Sequence, residues 1–249
     1  MQSEKRVTTG LVLRQTATRE TDLILTVLTP DLGRISVIAK GARSKKSKVS
    51  AACQLLTYSE MTLTERGEWY YLGEASTVAL FDGVRQDIVL LSLGSYFAEL
   101  CEAICTPEAA PELLRLLLNA LYALSELHKD PAIVKPAFTF RLMALSGFEP
   151  YCDGCAVCGK PPEKPVLDAV QGVVHCADCK TGGLSLPLTE SALEALRYIL
   201  HCEDKKLYSF AAAPNDLKLL DHAAEAFVSA QLERSFRTLD YYKMLNAEC

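Results

Sequence analysis

Leu23-Ile24-Leu25-Thr26-Val27-Leu28, then Pro30-Asp31-Leu32-Gly33, then Ile35-Ser36-Val37-Ile38-Ala39 read as strand, turn, strand. Pro and Gly punctuate the turn, and the third stretch alternates apolar with polar or outward residues. Upstream, Val7-Thr8-Thr9-Gly10-Leu11-Val12-Leu13 predicts another strand, ending in a polar turn over 16–21. Downstream, 55–64 predicts a fourth strand, Glu65-Arg66-Gly67-Glu68 a turn, and 69–79 one or two more strands. Five or six short strands within about 80 residues suit a small closed barrel, an OB-fold or an SH3-like barrel.

Past Phe81 the hydrophobic period changes to that of helices. Residues 88–105 and 112–127 predict two, the second strongly apolar like the core of a bundle. Asp130-Pro131 starts a third, with Asp at the N-cap and Pro at N1, and Ser146-Gly147 stops it near Leu145. Thr189 opens a helix to about His201, and Asn215 caps a last one over 217–236. The expected fold class is α+β and multidomain: a barrel over 1–82, a helical domain over 83–150 and 187–249, and a cysteine-bearing insertion over 151–186. Hydrophobic residues make up 49% of the 249, ample for a core. No apolar run reaches the roughly 18 residues that span a bilayer. The first ten residues are polar and lack the apolar segment of an export signal. Ten cysteines in that setting predict a reducing cytoplasm. Cys53, Cys101, Cys105 and Cys202 read as buried small apolar residues, and terminal Cys249 is uninformative.

Five cysteines fall within 28 residues: Cys152, Cys155, Cys158, Cys176 and Cys179. Cys155-x2-Cys158 and Cys176-x2-Cys179, seventeen residues apart, have the spacing of a tetrahedral zinc site. Each two-residue gap lets both thiolates reach one ion about 2.3 Å away. Gly159 supplies the turn after the first pair, and Gly182 and Gly183 follow the second. Cys152-x2-Cys155 has the same spacing and His175 adjoins Cys176, so the ligand choice stays open, with Cys155 and Cys158 preferred for Gly159. Four thiolates close the coordination shell, so one zinc here is structural; a catalytic zinc keeps an open position. A zinc deaminase requires H-x-E ahead of P-C-x-x-C. The only H-x-E, at His201, follows both pairs.

Charge is uneven. Residues 1–50 carry a net +6 and the other 199 a net −11. Five of the nine residues from Lys40 to Lys48 are basic: Lys40, Arg43, Lys45, Lys46 and Lys48. Such a loop neutralises phosphates without reading sequence. Arg14, Arg19 and Arg34, at neighbouring strand ends, are expected to extend it. Trp69, Tyr70 and Tyr71 are available for base stacking, although alternation sends at least one ring inward. No P-loop, G-x-S-x-G, Rossmann fingerprint or paired histidine spacing is present, so no catalytic residue is assigned and no enzyme is expected.

Glu20-Thr21-Asp22, Leu28-Thr29, Gly33 and 37–43 together resemble the N-terminal signature of the RecO family of bacterial recombination mediators. Phe140-Arg141-Leu142, Leu145, 147–150, 155–159 and Leu196-Arg197-Tyr198 resemble that family's helix-to-zinc junction. The resemblance covers nearly the whole chain, with the modules in the same order; Cys152 departs from the pattern. It implies an OB-fold and binding of single- and double-stranded DNA. It also implies annealing of complementary strands, partnership with RecR, contact with the acidic C-terminal tail of single-stranded-DNA-binding protein (SSB), and RecA loading in gap and break repair. The implied location is the cytoplasm, at the nucleoid. Lys40 and Arg43 lie in the matched motif, with Lys45, Lys46 and Lys48 in the same loop. The family's tail pocket is helical, which makes Lys135 and Arg141 candidate anchors. The alternative reading is a zinc-stabilised interaction adaptor that does not itself touch DNA.

Overall fold

The structure, a computed structural model, describes residues 5–179 and 183–247; Gly182 and Cys249 lie outside them. In chain order the elements are β1 (Lys5–Thr18), β2 (Asp22–Thr29), β3 (Gly33–Ala39), β4 (Tyr58–Arg66), β5 (Trp69–Ala79), α1 (Asp82–Gln86), α2 (Ile88–Ile104), α3 (Pro111–Ser125), α4 (Pro131–Leu145), β6 (Pro165–Asp168), β7 (Val173–Cys176), β8 (Ser185–Pro187), α5 (Glu190–His201), α6 (Pro214–Leu232) and α7 (Arg237–Ala247). The chain divides into two compact units: Met1–Glu126 with Phe236–Cys249, and Leu127–Ser235. The boundaries expected at 82, 150 and 186 mark changes of period or composition, whereas these units mark changes of packing. No described helix is long and apolar enough to cross a membrane.

In the first unit the strands close into a barrel of order β1-β2-β3-β5-β4, with β4 returning to β1. Neighbours are antiparallel except β3 and β5, which pair in parallel through Val37↔Tyr70 and Ile38↔Tyr71. This is an OB-fold. Val12, Leu25, Val27, Ile35, Val37, Met61 and Leu63 fill its interior. Burial alternates strictly along β3, so one of its faces is the core and the other, Arg34, Ser36 and Ile38, is half-buried. It runs unbroken through Leu25–Thr29 of β2 and Gly10–Leu13 of β1, where α2 packs against β1 and α3 against β2. Asp87 caps α2, its carboxylate accepting from the N–H groups of Val89 and Leu90.

β1 continues to Thr18 instead of turning at 16, because Gln15, Thr16, Ala17 and Thr18 keep their register against β2. Only 19–21 are left for the turn. β4 starts at Tyr58, later than expected. Leu56 takes a left-handed φ of 57° and the chain at 56–57 bonds to Val12 from outside the ladder.

In the second unit Asp130 caps α4 and Thr189 caps α5. The segment between them folds as a three-stranded sheet of order β7-β6-β8. α6 starts one residue before the expected cap, because Pro214 takes its first turn and Asn215 lies inside. It ends at Leu232, where Glu233 turns left-handed at φ 50°. The chain then begins the separate helix α7 at Arg237, which the single helix expected over 217–236 did not anticipate.

Gly33 has φ 61°, and a Cβ there would collide with the backbone of Thr106 and Glu108. Gly67 has φ 64° with open space around it. Gly67→Ala is therefore expected to cost about 1 kcal/mol of strain. Gly33→Ala should cost roughly 2 kcal/mol or more, since backbone must also move. Urea midpoints of the two variants check the difference, and equal midpoints would contradict it.

Candidate nucleic-acid interface and metal centre

The basic loop begins where β3 ends and folds onto the β1–β2 turn. The backbone N–H of Gly41 donates to Asp22 Oδ1 at 2.8 Å, and that of Arg43 to the Thr21 carbonyl at 2.9 Å. Arg43 Nη1 also donates to the Glu20 carbonyl at 3.4 Å. Ala42 is buried in the barrel core and pins the loop, while Lys40 and Arg43 on either side of it are exposed. Arg19, exposed and left-handed at φ 51°, stands in the turn that receives the loop. Lys45, Lys46 and Lys48 are exposed on the turns that follow, closed by Ser44 N–H to Gly41 O and Ser47 N–H to Ser44 O, both at 3.0 Å. Six of the eight expected cations thus belong to one end of the barrel.

Arg14 and Arg34 stand apart from this group. Arg14 grips the Glu102 carboxylate of α2, Nε at 3.0 Å and Nη2 at 2.8 Å. Arg34 donates from Nε to the Cys105 carbonyl at 2.8 Å, and its backbone N–H to the Thr106 carbonyl at 2.9 Å. At about 3.3 Å per residue, Arg34 is roughly 20 Å along β3 from Lys40.

Of the three aromatics, Tyr70 packs against the barrel core and Trp69 sits partly exposed at the start of β5. Tyr71 points outward by alternation. Lys40 Nζ lies 5.4 Å and Arg66 Cζ 5.2 Å from its ring centroid, both within cation–π range. Arg66, on the β4–β5 hairpin level with Ser36, is an additional cation that sequence reasoning missed; it comes from toward the opposite end of the barrel and meets Lys40 at this ring. The hairpin 65–68 holds two acids and one arginine, so its composition hides it. Only the parallel β3–β5 pairing brings it beside Lys40.

In the second unit the sulfurs of Cys155, Cys158, Cys176 and Cys179 lie within 4.8 Å of one another. The Sγ atoms of Cys158 and Cys176 are 3.9 Å apart. Thiolates about 2.3 Å from a central ion stand about 3.8 Å from each other, so the set fits a tetrahedral metal ion. Each pair is a tight turn. Gly159 takes φ 71°, its N–H donating to the Cys155 carbonyl at 2.8 Å, and the Cys179 N–H donates to the Cys176 carbonyl at 3.0 Å. Burial opposes ionisation of Cys155. The N–H groups of Cys158, Cys176 and Val157 aimed at its sulfur outweigh that and bring the thiol down to about 6. Cys179 is pushed up to about 12, first by burial and then by the Cys155 and Cys158 sulfurs. One thiolate raises the cost of the next, a repulsion that a central dication relieves. Cys152 is outside the cluster. Burial pushes its thiol up to about 11, and its carbonyl is held by Arg197 Nε and Nη2 at 2.8 and 2.7 Å. His175 is buried, with Nδ1 2.8 Å from the Cys176 carbonyl.

Lys135 and Arg141 are both buried on α4. Lys135 Nζ is ion-paired with Asp221 at 2.8 Å and with Glu225, both on α6. Arg141 donates to the Ile199 and Cys202 carbonyls at 2.8 and 2.7 Å, closing the C-terminal end of α5, and stands 3.6 Å from Asp204.

The profile of the family described as "Recombination protein O N terminal" matches residues 1–81, and that described as "Recombination protein O C terminal" matches residues 85–240. The chain is similar to the DNA repair protein RecO of Acetivibrio thermocellus, 30% identical over 242 residues, covering 96% of each chain. It is likewise similar to RecO of Caldicellulosiruptor saccharolyticus, 30% identical with 95% of this chain and 97% of that one covered. RecO of Thermoanaerobacter sp. is 29% identical, with 96% and 97% covered. With both halves of the barrel-plus-helices architecture matched in order, this chain belongs to the RecO family.

Proposed function

We propose that this protein acts in DNA repair as a non-enzymatic mediator that binds single- and double-stranded DNA. In this reading it anneals complementary strands and, with RecR, helps load RecA onto SSB-coated single strands in gap and double-strand-break repair. It works in the cytoplasm, at the nucleoid. The observation that carries the reading is the gathering of Arg19, Lys40, Arg43, Lys45, Lys46 and Lys48 at one end of an OB barrel, with Arg66 reaching Tyr71 on the outer face beside Lys40. Flexible cations there hold a sugar-phosphate chain and screen it from a second polyanion. Because they grip phosphates, the bases of the held strand stay available for an incoming complement.

The four-cysteine cluster is assigned one structural zinc, which ties β7 to the turn at 155–159. Contacts with RecR, RecA and the SSB tail follow from family membership. A tail carboxylate reaching Lys135 or Arg141 would have to displace the protein's own carboxylates and carbonyls from them.

Replacing Lys40, Arg43, Lys45 and Lys46 together by alanine should flatten the dependence of log K on log salt for oligo-dT. The slope should fall by about 0.7 for each phosphate that is no longer neutralised. Arg14→Ala, whose partner is Glu102, should leave the slope unaltered. Anisotropy titrations at several salt concentrations decide, and an unchanged slope in the fourfold variant counts against this loop.

Purified protein should carry one zinc per chain. Acidification should release it in parallel with thiolate protonation, because thiolate ligands must be deprotonated. Metal analysis of Cys158→Ser and Cys152→Ser separates ligand from bystander, since only the first should lose zinc.

Lys135→Ala should lower unfolding stability by roughly 2 to 3 kcal/mol. The change removes the cation that faces the largely buried Glu225 carboxylate, while Asp221 is partly screened by water. Lys135→Ala with an unchanged denaturation midpoint would show that the ion pair is not structural.

A further inference from the structure

Barrel register sets Thr64, Tyr71, Ile38 and Ile24 side by side on β4, β5, β3 and β2. All four are half-buried. Tyr70 already serves the core, so Tyr71 is not needed to fill it. What distinguishes its ring is the pair of cations against it, Lys40 at 5.4 Å and Arg66 at 5.2 Å. A flat aromatic surface flanked by aliphatic side chains and two cations has the chemistry of a nucleotide subsite: a π-face for a base and charges for the phosphates beside it.

We propose that Tyr71 is the stacking platform for an unpaired nucleobase and is the residue by which this barrel tells single strands from duplex. The proposal rests on the DNA-binding reading above and adds a division of labour to it. Lys40, Arg66 and the basic loop meet phosphates, which both forms of DNA offer. The ring meets a base, which only an unpaired strand can turn outward; in duplex both faces of a base are already stacked. The contacts with Lys40 and Arg66 hold the ring on the outer face before DNA arrives, so little side-chain ordering is left for binding. As a phosphate draws a cation off the ring, it uncovers π-surface for the adjoining base.

The test compares three probes of equal phosphate number by fluorescence anisotropy: oligo-dT, an abasic oligonucleotide and a blunt duplex. Tyr71→Ala should weaken oligo-dT binding roughly 5- to 100-fold. It should leave abasic and duplex binding within about twofold and the salt slope unaltered, because every phosphate-binding cation remains in place. Tyr71→Phe, which keeps the ring, should bind oligo-dT like the unsubstituted protein. Should Tyr71→Ala fail to fold, Tyr71→Leu, apolar but without a flat ring, carries the same expectation. Equal loss on all three probes would mean that the ring only supports the barrel, and undiminished oligo-dT binding would mean that no base stacks there; either overturns the proposal. Failure of the unsubstituted protein to bind any probe at low salt would instead remove the DNA-binding reading itself, and this inference with it.

Discussion

The two-residue parallel contact between β3 and β5, Val37↔Tyr70 and Ile38↔Tyr71, is the constraint on which the first unit turns. It closes a sheet that would otherwise present two free edges. It also fixes which aromatic goes inward and which outward, since one step of register would exchange Tyr70 and Tyr71 between core and surface. Through it, Arg66 on the β4–β5 hairpin and Lys40 at the end of β3 come to the same ring, though 26 positions separate them in the chain. α2 packs against β1 and α3 against β2, while the outer residues of β3 are half-buried, with Arg34 held by the chain at 105–106.

The second unit is held by different means. Its sheet is made of three- and four-residue strands, with β6 buried along its whole length. Four converging sulfurs are placed to hold a metal ion, with N–H groups arranged to favour thiolate at Cys155. Arg197 binds α5 to this segment through the carbonyls of Cys152 and Asp153. Arg141 and Lys135 do similar work between helices. Such long cations, satisfied at both ends of their reach, fix the packing of α4 against α5 and α6.

What could be read beforehand depended on whether the cause was local. Alternation along β3, the helix starts at Asp130 and Thr189, and the spacing of the four cysteines are properties of short windows, and each appears in the structure where its window lies. The preference for Cys155 and Cys158 drawn from Gly159 is local in the same sense, because the chain takes a positive φ one residue past Cys158. The sequence is silent where a distant partner decides. Lys135 looks like a free cation on a helix until α6 brings Asp221 and Glu225 to it. Arg14 and Arg34 look like extensions of the basic loop until α2 and the chain just after it claim them. α7 escaped notice because its polar sequence Arg237-Thr238-Leu239-Asp240 carries little apolar stripe, and its position depends on packing against α2.

In the proposed reading, one end and one face of the barrel, and not the cysteine-bearing unit, receive the nucleic acid. Hydrogen–deuterium exchange of the full chain with and without saturating oligo-dT addresses this in one experiment. Protection concentrated in residues 19–24, 36–48 and 64–71 is the predicted result. Protection confined to 127–235, with those three segments exchanging as in the free protein, would contradict it.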